Sequence, residues 1–265
     1  MGEGSGLIGH LIDLNGAKLY LREEGQGETL LYLHGLQGLT DESDAVARLA
    51  QRFHVLAPDH PGFGRSDSPD WLDDVPDLAF FYLDLLDRQG NERVHLVGHS
   101  LGGWVALEMA IRSTARLKSL TLVSAAGIRV DGVPRGDMFI GPASDLGTLL
   151  FVDEEAAARW MSQRQATPAL HEIDDKNRAA AAKYTWQPRL YNPKLAKWLH
   201  RIDVPTHVVW GEGDRLIPPP YAAALAAQIR GAEQSILPGC GHCLDLERPD
   251  LLTDTIARFI ERKRS

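Results

Sequence analysis

Cysteine is nearly missing from this chain. Its 265 residues include only Cys240 and Cys243, too few for the disulfide framework that staples small secreted domains. A surplus of positive charge is missing too. The formal charge is −8 at pH 7, and a nucleic-acid partner needs a basic face that releases counterions. No apolar run approaches the length that crosses a bilayer, so no membrane span is expected. The opening "MGEGSGLIGH" has neither a basic n-region nor a hydrophobic h-region, and nothing in it signals secretion. There is no internal repeat and no low-complexity tract. A globular, cytoplasmic protein acting on a small molecule is the expectation. With 44% hydrophobic residues, a chain of this length can bury one large core with room for an excursion.

The two cysteines enclose a histidine in Cys240-Gly241-His242-Cys243, which in isolation resembles a thiol–disulfide centre. Such a motif belongs near the first strand of its own βαβ domain, and too little chain follows Cys243 to build one. The pair also lacks a second half-site for zinc, and no other set of His, Asp or Cys has metal-ligand spacing. No metal and no cofactor are expected. His242 is the residue of interest, with the cysteines as small packing neighbours.

Strand-like and helix-like segments alternate along the chain. Asn15-Gly16 sits between two short alternating runs, a strong hairpin signal. Compact apolar runs follow at 29–35, 53–59, 94–100, 117–125, 206–214 and 233–239. Continuous runs of this kind suit a parallel sheet covered on both faces. Helical patterns lie between them, with Pro76, Pro220 and Pro249 near helix starts and Gly90 just past an end. The alternation implies a doubly wound α/β sheet. Residues 128–203 break it, with no convincing strand but helix-like pieces such as "DEEAAARWMSQRQA" and "NPKLAKWLHRI". This segment is expected to be a helical cap inserted in a core made of 1–127 and 204–265.

Gly98-His99-Ser100-Leu101-Gly102 fits G-x-S-x-G at the point where a strand runs into a helix. The turn must be tight, its neighbours small and the serine strained, so that Oγ stands clear of the sheet. Upstream, "LYLHGLQG" ends a strand. The backbone amides of Leu36 and Leu101 can form a two-donor oxyanion hole. His34 is better suited to structural hydrogen bonding than to the role of base. His242 follows the last strand in a glycine-rich loop and is the better base. Asp214, just after Gly213, is favoured over Glu212 as its acid, while Asp245 and Glu247 lie too near His242 in sequence. In "DHPGFGRSD", Asp59 and Arg65 are expected to pair across a structural turn.

With these motifs in order, the chain resembles the α/β-hydrolases of the Ser-Asp-His type over residues 10–262. The resemblance implies an α/β-hydrolase fold: a mostly parallel doubly wound sheet, an N-terminal β-hairpin and a helical cap inserted after the sixth strand. It also implies that Ser100 attacks a carbonyl, His242 shuttles the proton and Asp214 orients the imidazole. Phe139, Phe151, Trp160 and Trp186 of the cap, with His34, are the candidate walls of a substrate pocket. Carboxylesterase chemistry on small to medium, moderately hydrophobic esters is the leading expectation. Carbon–carbon hydrolases of ring-fission dienoates are similar in topology, but tend to carry asparagine before the serine and tryptophan after the histidine. Here those positions are His99 and Cys243. A non-catalytic ligand-binding member of the fold is the reading from another class.

Overall fold

Two strands, β1 (Gly9–Leu14) and β2 (Ala17–Glu24), pair antiparallel with Leu14 opposite Ala17. Between them Asn15 and Gly16 take φ of 55° and 81°. A two-residue turn with the twist of its strands demands those angles, and asparagine and glycine tolerate them best. The computed structural model describes residues 9–39, 43–90, 93–140, 145–166 and 168–263.

Six more strands follow: β3 (Thr29–Leu33), β4 (His54–Pro58), β5 (Val94–His99), β6 (Leu117–Val123), β7 (Thr206–Gly211) and β8 (Glu233–Leu237). They form one 8-stranded sheet in the order β1-β2-β4-β3-β5-β6-β7-β8. β2 meets β4 antiparallel, and from β4 to β8 every pairing is parallel. Every residue of β5 and β7 is buried, as their unbroken apolar runs require. Adjacent side chains still go to opposite faces. Leu96 joins the core on one side of the sheet, and Val97 the core on the other.

The helices are α1 (Ala45–Ala50), α2 (Val75–Arg88), α3 (Leu101–Arg112), α4 (Leu146–Leu150), α5 (Glu154–Ala166), α6 (Pro168–Thr185), α7 (Pro220–Gln228), α8 (Leu244–Glu247) and α9 (Pro249–Arg262). α1 and α9 cover one face, while α2, α3 and α7 cover the other. α2 starts where its sequence says it should. The Asp74 carboxylate accepts the amide of Asp77 at 2.9 Å, and Pro76 lies in the first turn. Among the described residues no helix is long and apolar enough to cross a membrane.

Between β6 and β7 come α4, α5 and α6, and the described residues there add no strand to the sheet. α6 binds this segment to the core through its polar side chains. Lys176 donates to the carbonyls of Gly64 and Ser66 at 2.9 and 2.6 Å, and Lys183 to that of Pro69 at 3.0 Å. The piece at 192–202 is not an α-helix: Ala196–Arg201 winds as a 3₁₀ helix. Its amides reach back three residues, Trp198 to Leu195 and Ile202 to Leu199, and the backbone turns extended at Ile202. Asp59 and Arg65 meet across their turn through the backbone of Arg65 and not through its guanidinium. The carboxylate takes the backbone amide of Arg65 at 2.9 Å, while the guanidinium donates to the Tyr20 hydroxyl at 2.7 Å and covers its ring.

Candidate active site

Ser100 sits between β5 and α3 with φ 52° and ψ −109°, a backbone region that costs a non-glycine residue about 1–3 kcal/mol. The surroundings hold it there. Its amide donates to the Val123 carbonyl at 2.9 Å, and its carbonyl accepts the amides of Trp104 and Ala126 at 3.1 and 3.0 Å. The turn leaves no room beside it. A Cβ on Gly102 would lie 2.1 Å from the Leu33 carbonyl oxygen, and one on Gly98 would lie 2.3 Å from that of Gly102.

Three loop side chains from distant sequence positions meet at this turn. Ser100 Oγ is 2.8 Å from His242 Nε2, and His242 Nδ1 is 2.8 Å from Asp214 Oδ2. All three residues are buried, at 2%, 0% and 3% exposure, so the polar chain is shielded from competing water. The acceptor-only carboxylate draws the ring proton to Nδ1, which leaves Nε2 free to accept from Ser100 Oγ–H. Asp214 is held in turn by the amides of Leu216 and Ile217, which donate to Oδ1 at 3.0 and 2.8 Å. Glu212, the competitor, is exposed.

Leu36 and Leu101 line the same small cavity as Ser100. Among the described residues neither donates a hydrogen bond, as expected for an amide in the first turn of a helix in the case of Leu101. Their strand end is braced from below by His34 and His60. His34 donates from Nδ1 to the Gly35 carbonyl at 2.7 Å and accepts the His60 amide on Nε2 at 2.9 Å. His60 donates from Nε2 to the His34 carbonyl at 3.0 Å, so its Nδ1 accepts from the Tyr82 hydroxyl at 2.5 Å. Burial pushes His60 down to about 4 and His34 well below the ordinary histidine value. Both are neutral struts. Both ring nitrogens of His34 are committed to the backbone, and the ring is not among the walls of the two cavities nearest Ser100.

A cavity of about 20 Å³ touches Ser100, walled by Leu36, Leu101, Trp104, Met138, Leu216 and Ile217 among others. A second, of about 140 Å³, adjoins it through the shared walls Leu36 and Met138 and reaches between α5 and α6. Phe139 and Trp160 line this second cavity. Phe151 and Trp186 line neither. Phe151 is buried against Trp160, with ring centres 5.5 Å apart, whereas Trp186 is 53% exposed beneath the Arg189 guanidinium. A larger groove, about 660 Å³, opens on the far side of Trp104 and contacts neither Ser100 nor His242. Size alone does not make it a reactive site, since Ser100 and His242 lie elsewhere.

Several partners of the site were not legible in the sequence. His99 donates from Nε2 to the His242 carbonyl at 2.9 Å. Burial, its largest influence, lowers its pKa, and the nearby Asp245 carboxylate opposes this. Glu247 gathers three amides, those of Gly241, Val152 and Asp153, at 2.5, 2.6 and 2.9 Å. Asn177 of α6, buried, accepts from the Gly64 amide at 2.8 Å and donates to the Gln37 carbonyl at 2.9 Å. Polar residues in such positions carry no local signal, because their partners are far away in sequence. The cysteines beside His242 are both free and buried. Burial pushes the Cys240 thiol up to about 11 and Cys243 well above the usual thiol range. Such thiols are poor nucleophiles.

The profile of the alpha/beta hydrolase family matches residues 30–255. The chain belongs to this family. Among similar alpha/beta hydrolases is "Lipase 1" of Psychrobacter immobilis, 27% identical over 259 residues, covering 92% of this chain and 81% of the relative. Another is "2-hydroxy-6-oxo-6-phenylhexa-2,4-dienoate hydrolase" of Burkholderia cepacia, 26% identical over 274 residues, with 93% and 92% covered. A crystal structure of a membrane phospholipase A, described as a bacterial virulence factor, superposes with a TM-score of 0.76 at 26% identity over 98% of this chain and 87% of that one.

Proposed function

We propose that this alpha/beta hydrolase cleaves carboxylic esters of small to medium, moderately hydrophobic substrates through an acyl-enzyme on Ser100. The observation that carries the reading is the hydrogen-bonded run Ser100 Oγ, His242 Nε2, His242 Nδ1, Asp214 Oδ2 behind a serine in strained backbone. Ser100 Oγ attacks the ester carbonyl carbon while His242 Nε2 takes its proton. The carbonyl oxygen gains charge and is met by the amides of Leu36 and Leu101. His242 passes the proton to the departing alkoxide, and water then repeats the cycle on the acyl-enzyme. Asp214 stabilises the charged imidazole between these steps. α4, α5 and α6 act as the cap, and the small apolar space at Ser100 favours a compact, uncharged group beside the reacting carbon.

Support also comes from relatives named as lipases, among them "Lipase 3" of Moraxella sp., 27% identical over 82% of this chain. The dienoate hydrolase relative favours carbon–carbon cleavage as the second reading. Against it stand His99, spent on the His242 carbonyl, and the buried thiol of Cys243 where an indole would be expected.

The test is a panel of p-nitrophenyl esters of graded acyl length run beside a ring-fission dienoate. Ester turnover is expected, with a pre-steady-state burst of one chromophore per protein, and Ser100→Ala should lower kcat by about 10⁴ or more. Turnover of the dienoate alone would move the assignment to carbon–carbon cleavage.

A further inference from the structure

Among the described residues, the cavity at Ser100 and the groove of about 660 Å³ share a single wall residue, Trp104. Its place follows from the helix that carries it. Trp104, Glu108 and Arg112 recur at four-residue steps on α3 and so stack along one face. The indole Nε1 donates to Glu108 Oε1 at 3.1 Å. That oxygen also accepts from Asn192 Nδ2 at 2.7 Å, and Glu108 Oε2 accepts from the Arg112 guanidinium at 2.5 Å. Glu108, Arg112 and Asn192 all belong to the groove wall, so the nitrogen edge of the indole is anchored on the groove side. The five-membered ring also packs directly on Gly127, where a Cβ would lie 2.7 Å from Cδ1 and 2.8 Å from Cγ.

A side chain held this way is a wall and not a gate. Trp104 is only 3% exposed, and a buried, satisfied hydrogen-bond network is rigid. The space left at Ser100, about 20 Å³, holds about one water-sized group. An ester extends in two directions from its carbonyl carbon. One arm can run toward the cavity between α5 and α6, which shares Leu36 and Met138 with the space at Ser100. An arm that runs toward α3 meets Trp104, with the groove behind it.

We propose that Trp104 is a specificity-determining residue: it limits one arm of the ester to a short chain by closing the Ser100 space against a groove able to take a long one. The inference deepens the esterase reading and rests on it. Tyr184, Tyr191 and Trp198 join Trp104 on the groove wall, and concave aromatic surface of this kind suits an alkyl chain. Removing the indole should therefore turn two spaces into one and change which esters are cleaved.

Two series of unbranched esters test it, methyl acetate to methyl decanoate and methyl acetate to decyl acetate, followed by the acid released. In wild type kcat/KM should fall with chain length in at least one series. In that series Trp104→Ala should raise the ratio of the longest ester to the shortest by roughly tenfold or more. Trp104→Leu provides the same reading if the first variant does not fold. Trp104→Phe, which keeps a ring in the wall, should move the ratio far less; an equal move would assign the effect to the lost Glu108 bond and overturn the size limit. Wild-type rates that hold or rise with length in both series overturn the proposal, as does a length profile unchanged in the folded alanine or leucine variant. Those results leave the esterase reading standing. If wild type cleaves no ester, the esterase reading falls, and calorimetric titration with methyl decanoate and decyl acetate still decides the wall. Tighter binding to Ser100→Ala/Trp104→Ala than to Ser100→Ala supports it, and equal binding overturns it.

Discussion

The carbonyl of Leu150, the last residue of α4, accepts the backbone amides of both His242 and Cys243, at 2.8 and 3.1 Å. The segment between β6 and β7 thus carries one wall of the cavity and also fixes the loop whose ring faces Ser100. Glu247 closes the same junction by taking the amides of Gly241, Val152 and Asp153. Disturbing that segment should therefore alter the proton-transfer geometry as well as substrate binding.

Glu247→Gln tests this coupling. The replacement turns one carboxylate oxygen into a donor that cannot accept, so at least one amide at the junction loses its partner. Stability should drop by about 1–3 kcal/mol, and kcat on a p-nitrophenyl ester should fall more than KM changes. An unchanged kcat would show that the histidine loop holds itself.

Asp214→Asn should lower kcat by about 10⁴, because an amide nitrogen facing Nδ1 puts the ring proton on Nε2, where it can no longer accept from Ser100. Circular dichroism should show the fold intact. Near-normal rates would remove Asp214 from the proton relay.

Gly102→Ala should be among the most damaging small changes in the chain. The added methyl would stand 2.1 Å from a backbone oxygen of β3, and neither α3 nor the sheet can give way cheaply. A loss of several kcal/mol, or insoluble expression, is the expected result in urea denaturation or fractionation, since overpacking alone costs about 1–3 kcal/mol.

The cysteines should be silent. At pH 8 the native protein should react with iodoacetamide only slowly, and both thiols should become available in denaturant. Both are buried and burial raises both pKa values, so little thiolate is exposed. Dithiothreitol should leave ester turnover unchanged. Rapid labelling of the folded protein would contradict the packing role.

Acid should weaken the fold through buried histidines. Burial lowers His60 and His207 to about 4 each, whereas an unfolded histidine titrates near 6.5. Between those values the unfolded chain binds more protons, so stability is full above about 6.5 and falls as pH drops toward 4, by up to about 1.4 kcal/mol per pH unit for each histidine. Asp59 opposes the trend, since burial raises its carboxyl and favours the folded state in acid. His207 is bonded to Ser235 at 2.8 Å and stacks on Phe259. Urea unfolding of wild type and His207→Gln at pH 7 and pH 5 should give a smaller acid loss in the variant.

What the amino-acid order determined by itself was everything with short range. Asn15-Gly16 specified its hairpin because two adjacent positive φ angles suit few other residues. The glycines around Ser100 announced the strained turn, because backbone closes on backbone within a few residues. Unbroken apolar runs announced β5 and β7 as strands buried on both faces. Tertiary structure alone decided which side chains meet across long separations. It placed Trp160 on a cavity and left Trp186 half in solvent, though both are tryptophans of one segment. It committed both ring nitrogens of His34 to backbone groups, and directed His99 to the carbonyl of His242, 143 positions away. Periodicity tells a residue which face to bury, but the partner on that face is chosen by how helices and loops pack.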